Sequence, residues 1–248
     1  MNKLHVCFTG LHPNKNFSNM KFVIDKFEKV KNIDVHFHIV FDPNQLGIDR
    51  RGEKLTILGD KIKQLIEDKG IKKIIYDSPF LKTNGSSDGV VSVMIQQESL
   101  SSFLHSGICD NDYLLRVRGD VKIRDEDFSR FLDPMWYDKL KNKMFLPFIG
   151  DQYVYDFCDY YWLSTVKKNK DYIFSNLGEI EQAWTNQNLT RDHCQFCEKI
   201  LFIKPHLEKI ENENITTISD KYWQLINENY EIGVVGDHSK RPVLDVNK

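Results

Sequence analysis

The first 76 residues of the chain alternate between β-type runs and segments whose apolar residues recur at helical spacing. The runs predict strands at Leu4–Phe8, Val35–Phe41 and Lys72–Tyr76, and the segments between them predict helices at about 18–31 and 54–69. Strands that alternate with helices pack into a mostly parallel sheet, because each helix carries the chain back across a face of the sheet. The sequence therefore predicts an α/β fold in which helices flank a mostly parallel sheet.

The rest of the chain continues with patterns of both kinds. They predict a helix at Val91–His105, a strand at Tyr113–Arg118, a helix at Asp125–Leu132, an extended run at Met144–Ile149, an aromatic helix at Gln152–Lys168, and helices around Leu177–Trp184, His193–Phe202 and Asp220–Asn229. No internal repeat, low-complexity tract or linker divides the sequence. We therefore expect a single domain that spans residues 1–248.

The charge balance and the hydropathy pattern exclude several classes of protein. Lys and Arg number 34 and Asp and Glu number 36, so the net charge of −2 leaves no excess to neutralise a phosphate backbone, and nucleic acid is not expected as a partner. No run approaches the ~18 apolar residues of a transmembrane helix, and the N-terminus lacks the apolar core of a secretory signal. The five cysteines are an odd and sparse set, unlike a disulfide framework. We expect a cytoplasmic protein with reduced thiols.

A cluster of charged residues lies at the end of the strand predicted at Tyr113–Arg118. Arg116, Arg118 and Asp120 stand at every second position, so in an extended chain their side chains share one face. Two guanidiniums and a carboxylate suit a diphosphate with its metal ion, because arginine forks bind phosphate oxygens and a carboxylate holds Mg²⁺ or Mn²⁺. The alternative is a salt-bridge ladder on a solvent-facing edge strand. Gly119 favours the functional interpretation, since a glycine lets a ligand approach the backbone closely.

A second carboxylate, Asp151, follows the hydrophobic run at Met144–Ile149 and precedes the predicted aromatic helix. Asp151 either caps that helix through backbone N–H groups or acts as a general base on an acceptor hydroxyl. Most of the aromatic residues after it are expected in the core, and one or two of them could form a stacking platform for a sugar ring. The residues alone leave both roles of Asp151 open.

Four further polar residues stand on or next to the predicted strands. Asp42 and Asp77 come directly after the second and third strands, and ligands collect at the carboxyl ends of parallel strands. His36 and His38 alternate on the second strand, and we expect a hydrogen-bonded or surface pair rather than a catalytic one.

The segments Asp112–Asp120 and Ile149–Tyr155 resemble two motifs of the WavE-type lipopolysaccharide-synthesis proteins, a group of bacterial and viral sugar transferases. In that group a strand ends in an Arg-x-Arg-x-Asp-like signature, and an Asp-Gln or Asp-His element with aromatic residues comes later. The resemblance covers about residues 1–165 and implies the GT-A fold, a Rossmann-like α/β architecture that binds nucleotide sugars. It also implies that Asp120 takes the second position of an Asp-x-Asp metal motif. Arg118 stands at the first position, and an arginine neutralises a diphosphate without a cation.

The resemblance implies a glycosyltransferase that moves a sugar from a nucleotide-diphosphate sugar donor to a carbohydrate acceptor, in glycan or surface-polysaccharide synthesis. Residues 1–123 would form the nucleotide-binding part and residues 124–248 the acceptor side. The implied roles are base and ribose binding for Thr9 and Gly10, with His12 in the same loop, diphosphate binding for Arg116 and Arg118, coordination of Mn²⁺ or Mg²⁺ for Asp120, and general base catalysis for Asp151. Two alternatives stay open. One is a nucleotidyl- or phosphotransferase that uses the same residues on a triphosphate, and the other is a non-catalytic glycan-binding assembly subunit.

Overall fold

A computed structural model describes residues 2–10, 12–43, 47–48, 54–55, 58–76, 98–150, 158, 160–174 and 220–236. Seven strands of the described chain form one sheet, and they are β1 (Leu4–Thr9), β2 (Val35–Phe41), β3 (Lys72–Ile75), β4 (Tyr113–Arg118), β5 (Met144–Gly150), β6 (Tyr161–Thr165) and β7 (Tyr230–Gly236). A separate two-stranded pair joins Gly47–Ile48 to Lys54–Leu55. The large sheet therefore takes strands from both halves of the sequence.

The order of strands in the large sheet is β3-β2-β1-β4-β6-β5-β7. β1 is parallel to both of its neighbours, β2 and β4, and the pairs β2–β3 and β5–β7 are parallel as well. β6 runs antiparallel to β4 on one side and to β5 on the other. The predicted α/β class, with a mostly parallel Rossmann-like sheet, is confirmed.

Helices pack on both faces of this sheet. They are α1 (Phe17–Phe27), α2 (Asp60–Lys69), α3 (Asp125–Phe131), α4 (Val166–Phe174) and α5 (Asp220–Asn229), together with a helical segment at 98–104 and 3-10 helices at Asn14–Asn16 and Pro134–Leu140. Apolar residues of α1, α2 and α3 form the core on one face, and residues of the 98–104 segment and of α5 join the core on the other. Within the described part of the chain, no helix combines the length and the apolar character needed to cross a bilayer.

β1 lies inside the sheet and separates the two cores. Leu4, Val6 and Phe8 point into the core formed with α1, α2 and α3, whereas Cys7 points into the opposite core. Every residue of β1 is buried. A strand that is covered on both faces and paired on both edges has no solvated side, and this explains why the run at 4–8 is nearly continuous in apolar residues.

Three histidines and an aspartate lie together at the amino end of β1 and β2. His5 Nδ1 is 2.9 Å from His38 Nε2, and His5 Nε2 is 3.2 Å from Asp112 Oδ2. The ring of His36 lies 5.5 Å from that of His5, and Phe103 covers His5 and His38. Burial lowers the pKa of His38 to about 3 and holds the pKa of His5 below its usual value. Both rings are therefore neutral at pH 7, and the hydrogen-bonded partner of His38 is His5 rather than His36.

A buried carboxylate connects α3 to the second half of the sheet. Asp127 Oδ2 accepts hydrogen bonds from Arg124 Nε and Nη2 at 2.8 and 2.7 Å and from the Tyr161 hydroxyl at 2.6 Å. Arg124 Nη2 also donates to the carbonyl oxygen of Pro147 in β5. β7 passes so close that a Cβ at Gly233 would overlap this guanidinium. The network thus ties α3 to β5, β6 and β7.

The described elements confirm several predicted bounds. The strands at Val35–Phe41 and Tyr113–Arg118 and the helix at Asp220–Asn229 are where the sequence predicts them. The helix predicted at 54–69 begins only at Asp60, because residues 54–55 belong to the short two-stranded pair. Gly70 ends this helix with φ +60°, a left-handed conformation that favours glycine.

The aromatic helix predicted at Gln152–Lys168 is wrong over Tyr161–Thr165, which forms β6. The first four residues of β6 are buried, so the segment shows no alternation between apolar and polar positions. Periodicity alone does not separate a fully buried strand from a buried helix, and the aromatic side chains favour a strand. β7 has no counterpart among the predicted elements. The helices predicted at Leu177–Trp184 and His193–Phe202 lie outside the described residues.

Candidate functional site

The candidate site lies where the order of strands in the sheet reverses. From β1 the chain proceeds outward to β2 and β3, and it returns to the other side of β1 with β4. In open α/β sheets, ligands bind at the carboxyl ends of the two strands that flank such a switch point. Thr9 and Arg118 end these two strands and are opposite each other in the register. The structure thus brings Thr9, Gly10, Arg118 and Asp120 to one place.

Arg116 lies beneath this place, in the interior. The residue is 1% exposed, its Nε donates to Thr9 Oγ1 at 2.7 Å, and its guanidinium lies 4.6 Å from the centre of the Trp162 ring. The indole of Trp162 is itself fixed by a hydrogen bond from Nε1 to Asn169 Oδ1 at 2.8 Å. Arg116 therefore influences the site from the protein interior. It orients the Thr9 hydroxyl through a hydrogen bond and adds positive charge near the carboxyl ends of β1 and β4.

Arg118 and Asp120 form a bidentate ion pair at the surface of the site. Arg118 Nε lies 3.1 Å from Asp120 Oδ1, and Arg118 Nη2 lies 2.9 Å from Asp120 Oδ2. The two side chains are 27% and 36% exposed. The guanidinium also lies over the ring of Tyr160, 5.2 Å from its centre. Asp120 stands in the turn after β4 and not on the strand, so the turn and not strand alternation brings it to Arg118.

The loops after β1 and β4 pack against each other at Gly119. A Cβ at this position would lie 3.1 Å from His12 Nδ1 and 3.3 Å from Asn16 Nδ2. The close approach to the backbone at Gly119, predicted for a ligand, is therefore made by His12 and Asn16 of the chain itself. Gly10 is required for its backbone, because its φ of +94° is a conformation that other residues rarely adopt.

His12 joins these loops to β2 and to the start of α2. Its ring is fully buried, with Nε2 3.2 Å from the carbonyl oxygen of Val40, and its own carbonyl oxygen accepts a hydrogen bond from Gly59 N at 2.9 Å. Burial lowers the pKa of His12 to about 4, although the charge of Asp120 acts in the opposite direction. His12 is therefore neutral at pH 7 and shapes the site without adding charge to it.

The Asp120 carboxylate fits a divalent cation that also takes ligands from substrate phosphates. Mg²⁺ binds through one or two carboxylates together with phosphate oxygens and water. Asp120 is partly exposed and supplies two such oxygens. Among the described residues, no group of three or more His, Cys, Asp or Glu side chains could hold a metal ion. A cation bound through both oxygens of Asp120 would displace Arg118 from them.

Other residues singled out in the sequence lie at the same edge of the sheet or outside the described chain. Asp42 follows β2 directly and is fully buried. Burial raises the pKa of Tyr76, which follows β3, and the charges of Asp42 and Glu98 raise it further. Asp151, the predicted general base, and Asp77 lie outside the described residues.

Tyr160 and Trp162 are the site residues that sequence reasoning did not connect with the two arginines. The antiparallel pairing of β6 with β4 puts Trp162 opposite Arg116. The backbone carbonyl oxygen of Tyr160 accepts a hydrogen bond from the backbone N–H of Arg118 at 3.0 Å. Aromatic faces attract guanidinium groups and hold them in place. The aromatic composition of 153–162 was a signal for this role, but the pairing that delivers the rings joins distant parts of the sequence.

Comparisons with known proteins give a weak structural likeness but no family. No protein-family model matches the chain, and no curated protein does. Among solved structures, 4-diphosphocytidyl-2C-methyl-D-erythritol synthase from Anaerococcus prevotii is similar to it, with 13% sequence identity and a TM-score of 0.41 over 98% of this chain and 91% of that chain. A likeness at this level carries no inference about the reaction. The resemblance to WavE-type proteins finds no support in these comparisons and stays a prediction.

Proposed function

We propose that the chain is a nucleotide-dependent transferase that moves a sugar from a nucleoside-diphosphate sugar to a carbohydrate acceptor. The observation that carries the proposal is the position of Arg118 and Asp120 at the carboxyl ends of β1 and β4, where the strand order reverses. A partly exposed guanidinium and carboxylate at this position match the charges of a diphosphate and its cation.

Each site residue then has a separate task. Arg118 binds phosphate oxygens of the leaving nucleotide through its fork of N–H groups. Asp120 holds a divalent cation that neutralises charge on the same phosphates. Arg116 does not need to touch the ligand, because from its buried position it orients Thr9 and contributes positive charge. Thr9 and Gly10 provide the wall against which the nucleoside lies.

The reaction in this proposal is a displacement at the anomeric carbon of the donor sugar. The bond from this carbon to the acceptor oxygen forms, the bond to the diphosphate oxygen breaks, and the nucleoside diphosphate leaves. Asp151 takes the proton of the acceptor hydroxyl, and direct displacement inverts the configuration. This role of Asp151 rests on its sequence context alone.

The test measures hydrolysis and binding of donors without an acceptor. The protein is incubated with a panel of nucleoside-diphosphate sugars and Mn²⁺ or Mg²⁺, and we measure released nucleoside diphosphate and the rise in melting temperature. We expect one nucleotide class to be bound and slowly hydrolysed, and Arg118→Ala to reduce hydrolysis at least about tenfold. Asp125→Asn, an exposed change of charge on α3, is the control and should leave hydrolysis unchanged.

Two other outcomes decide between the alternatives. One outcome is release of pyrophosphate from a nucleoside triphosphate with no release of nucleoside diphosphate from sugar donors. This would show that the same residues serve nucleotidyl transfer and not sugar transfer. Folded protein that neither binds nor hydrolyses any of these nucleotides would contradict the proposal and favour a glycan-binding subunit.

A further inference from the structure

The ion pair of Arg118 and Asp120 uses the same atoms that the proposed ligands need. Its two hydrogen bonds, of 3.1 and 2.9 Å, join Nε and Nη2 of the guanidinium to both oxygens of the carboxylate. This edge of a guanidinium is one that binds a phosphate bidentately, and the two oxygens are the ligands that a cation takes from aspartate. The ligand-free pair and the proposed bound state therefore exclude each other at these atoms.

We propose that the Arg118–Asp120 ion pair is a latch that makes the binding of a nucleoside diphosphate and the binding of a divalent cation depend on each other. The inference rests on the proposed function and names a regulation of that site. A diphosphate that captures Arg118 releases Asp120, and a cation that captures Asp120 releases Arg118. The first ligand to bind, whichever it is, must break the ion pair, and this lowers its affinity. The second ligand binds a residue that no longer pairs with the other member, so its affinity is not lowered in this way.

Like charges make each half-open state unfavourable. A diphosphate alone on Arg118 would lie next to the released carboxylate of Asp120, and a cation alone on Asp120 would lie next to the released guanidinium. When both ligands are present, each charge faces an opposite one. The coupling therefore has two sources, the opening of the pair and the repulsion that remains when only one ligand is bound.

The surroundings keep Arg118 at the site during this exchange. The ring of Tyr160 lies under the guanidinium of Arg118, so the arginine stays at the end of β4 when its carboxylate partner leaves.

Isothermal titration calorimetry tests the latch without measuring activity. Mn²⁺ alone is titrated into the wild type and Arg118→Gln, and the nucleoside diphosphate that gives the largest thermal shift is titrated in EDTA into the wild type and Asp120→Asn. If the latch exists, each substitution removes the charge that holds the other member of the pair. We expect Mn²⁺ to bind Arg118→Gln about three- to fivefold more tightly than wild type, and the diphosphate to bind Asp120→Asn more tightly by a similar factor.

The control is Lys122→Gln, which removes a positive charge from an exposed residue near Asp120 without touching the pair. It should change neither affinity by more than about 1.5-fold. If Arg118 and Asp120 only contact ligands and do not restrain each other, neither substitution raises the affinity for the other ligand. Unchanged or weaker binding in both variants therefore overturns the latch while the proposed function stands. If one variant does not fold, the affinity measured in the other variant decides: tighter binding supports the latch, and unchanged or weaker binding overturns it. Absence of nucleotide binding by every protein, with or without cation, overturns the proposed function and the latch together.

Discussion

Arg116 and Arg118 stand two positions apart on β4 and point to the same face of the sheet, but their surroundings differ. Arg116 lies over Trp162 in the interior, and Arg118 lies over Tyr160 at the surface. Strand alternation in the sequence predicted the shared face. It did not predict the difference in burial, because the covering rings come from the β6 segment, whose pairing with β4 has no local signal.

Arg116→Lys should lower the free energy of unfolding by ~2–4 kcal/mol, because a lysine cannot both stack on Trp162 and donate to Thr9, and it leaves a buried hydroxyl poorly satisfied. Urea unfolding followed by circular dichroism measures this change. The same substitution at Arg118 is the matched control, because it replaces a partly exposed pair worth no more than about 1 kcal/mol. Equal losses in the two variants would show that the burial of Arg116 does not matter.

At the scale of elements, α3 is joined to three strands through the carboxylate of Asp127. The Asp127 side chain is 1% exposed, and it faces Arg124, Tyr161 and Arg130, whose Nη1 lies 3.5 Å from Oδ1. Removal of one partner from such a buried group leaves the others without compensation. Because α3 follows the Gly119–Asp120 turn, the network also fixes the chain that leaves the candidate site.

Asp127→Asn should therefore lower the free energy of unfolding by ~2–4 kcal/mol, since an amide keeps the shape of the side chain but loses its charge between two arginines. Asp125→Asn makes the same chemical change at an exposed position of the same helix and should stay within about 0.5 kcal/mol of wild type. Thermal unfolding of both variants beside the wild type gives the comparison. A loss at Asp125 as large as that at Asp127 would mean that helix charge, and not the buried network, stabilises α3.

Elements with a clear local pattern could be predicted from the sequence, and those defined by distant pairing could not. β2 and β4 have distinct ends, and their bounds were predicted from composition and turn residues. β6 was predicted as a helix because its burial on both faces removes alternation, and β7 was missed although Tyr230–Gly236 contains β-branched residues. The same holds for the candidate site. Its residues on and after β1 and β4 were predicted from local sequence. The ion pair, the aromatic rings over the arginines and the packing of Gly119 on His12 were not predicted, because they depend on tertiary contacts.

At the scale of the whole molecule, the parallel strands have polar groups buried near both ends. His12 lies close to the carboxyl ends of β1 and β4, and His5 and His38 lie at the amino end of β1 and β2. Burial lowers the pKa of all three. Around His5 and His38, the charge of Asp112 favours protonation of His5, whereas Lys3, Lys72 and His36 oppose protonation of the pair.

The free energy of unfolding should fall as the pH decreases from 7 to 5. In this range the unfolded chain binds a proton at each of these histidines, near the usual pKa of 6.5, while the folded rings of His38 and His12, with pKa values of about 3 and about 4, stay neutral. The unfolded state therefore binds more protons, and each such histidine accounts for a loss of ~2 kcal/mol. The contribution is fully present above the unfolded pKa and is lost progressively below it.

Urea unfolding at pH 7, 6 and 5 measures this dependence. His38→Gln should remove one histidine's contribution, which is about 2 kcal/mol of the loss between pH 7 and pH 5. A stability that is independent of pH in the wild type over this range would contradict the neutral, buried state of these rings.

The position of β1 between β2 and β4 also bears on how the chain is synthesised. Thr9 and Arg116, which bond to each other in the folded protein, are 107 positions apart in the sequence. A ribosome that adds ~5–20 residues per second needs roughly 5–20 s to cover that distance. During this time β1 can pair with β2, but its other edge has no partner and is a template for strands of neighbouring nascent chains. The delay between the emergence of β1 and that of β4 is therefore the interval in which the nascent chain most needs a chaperone.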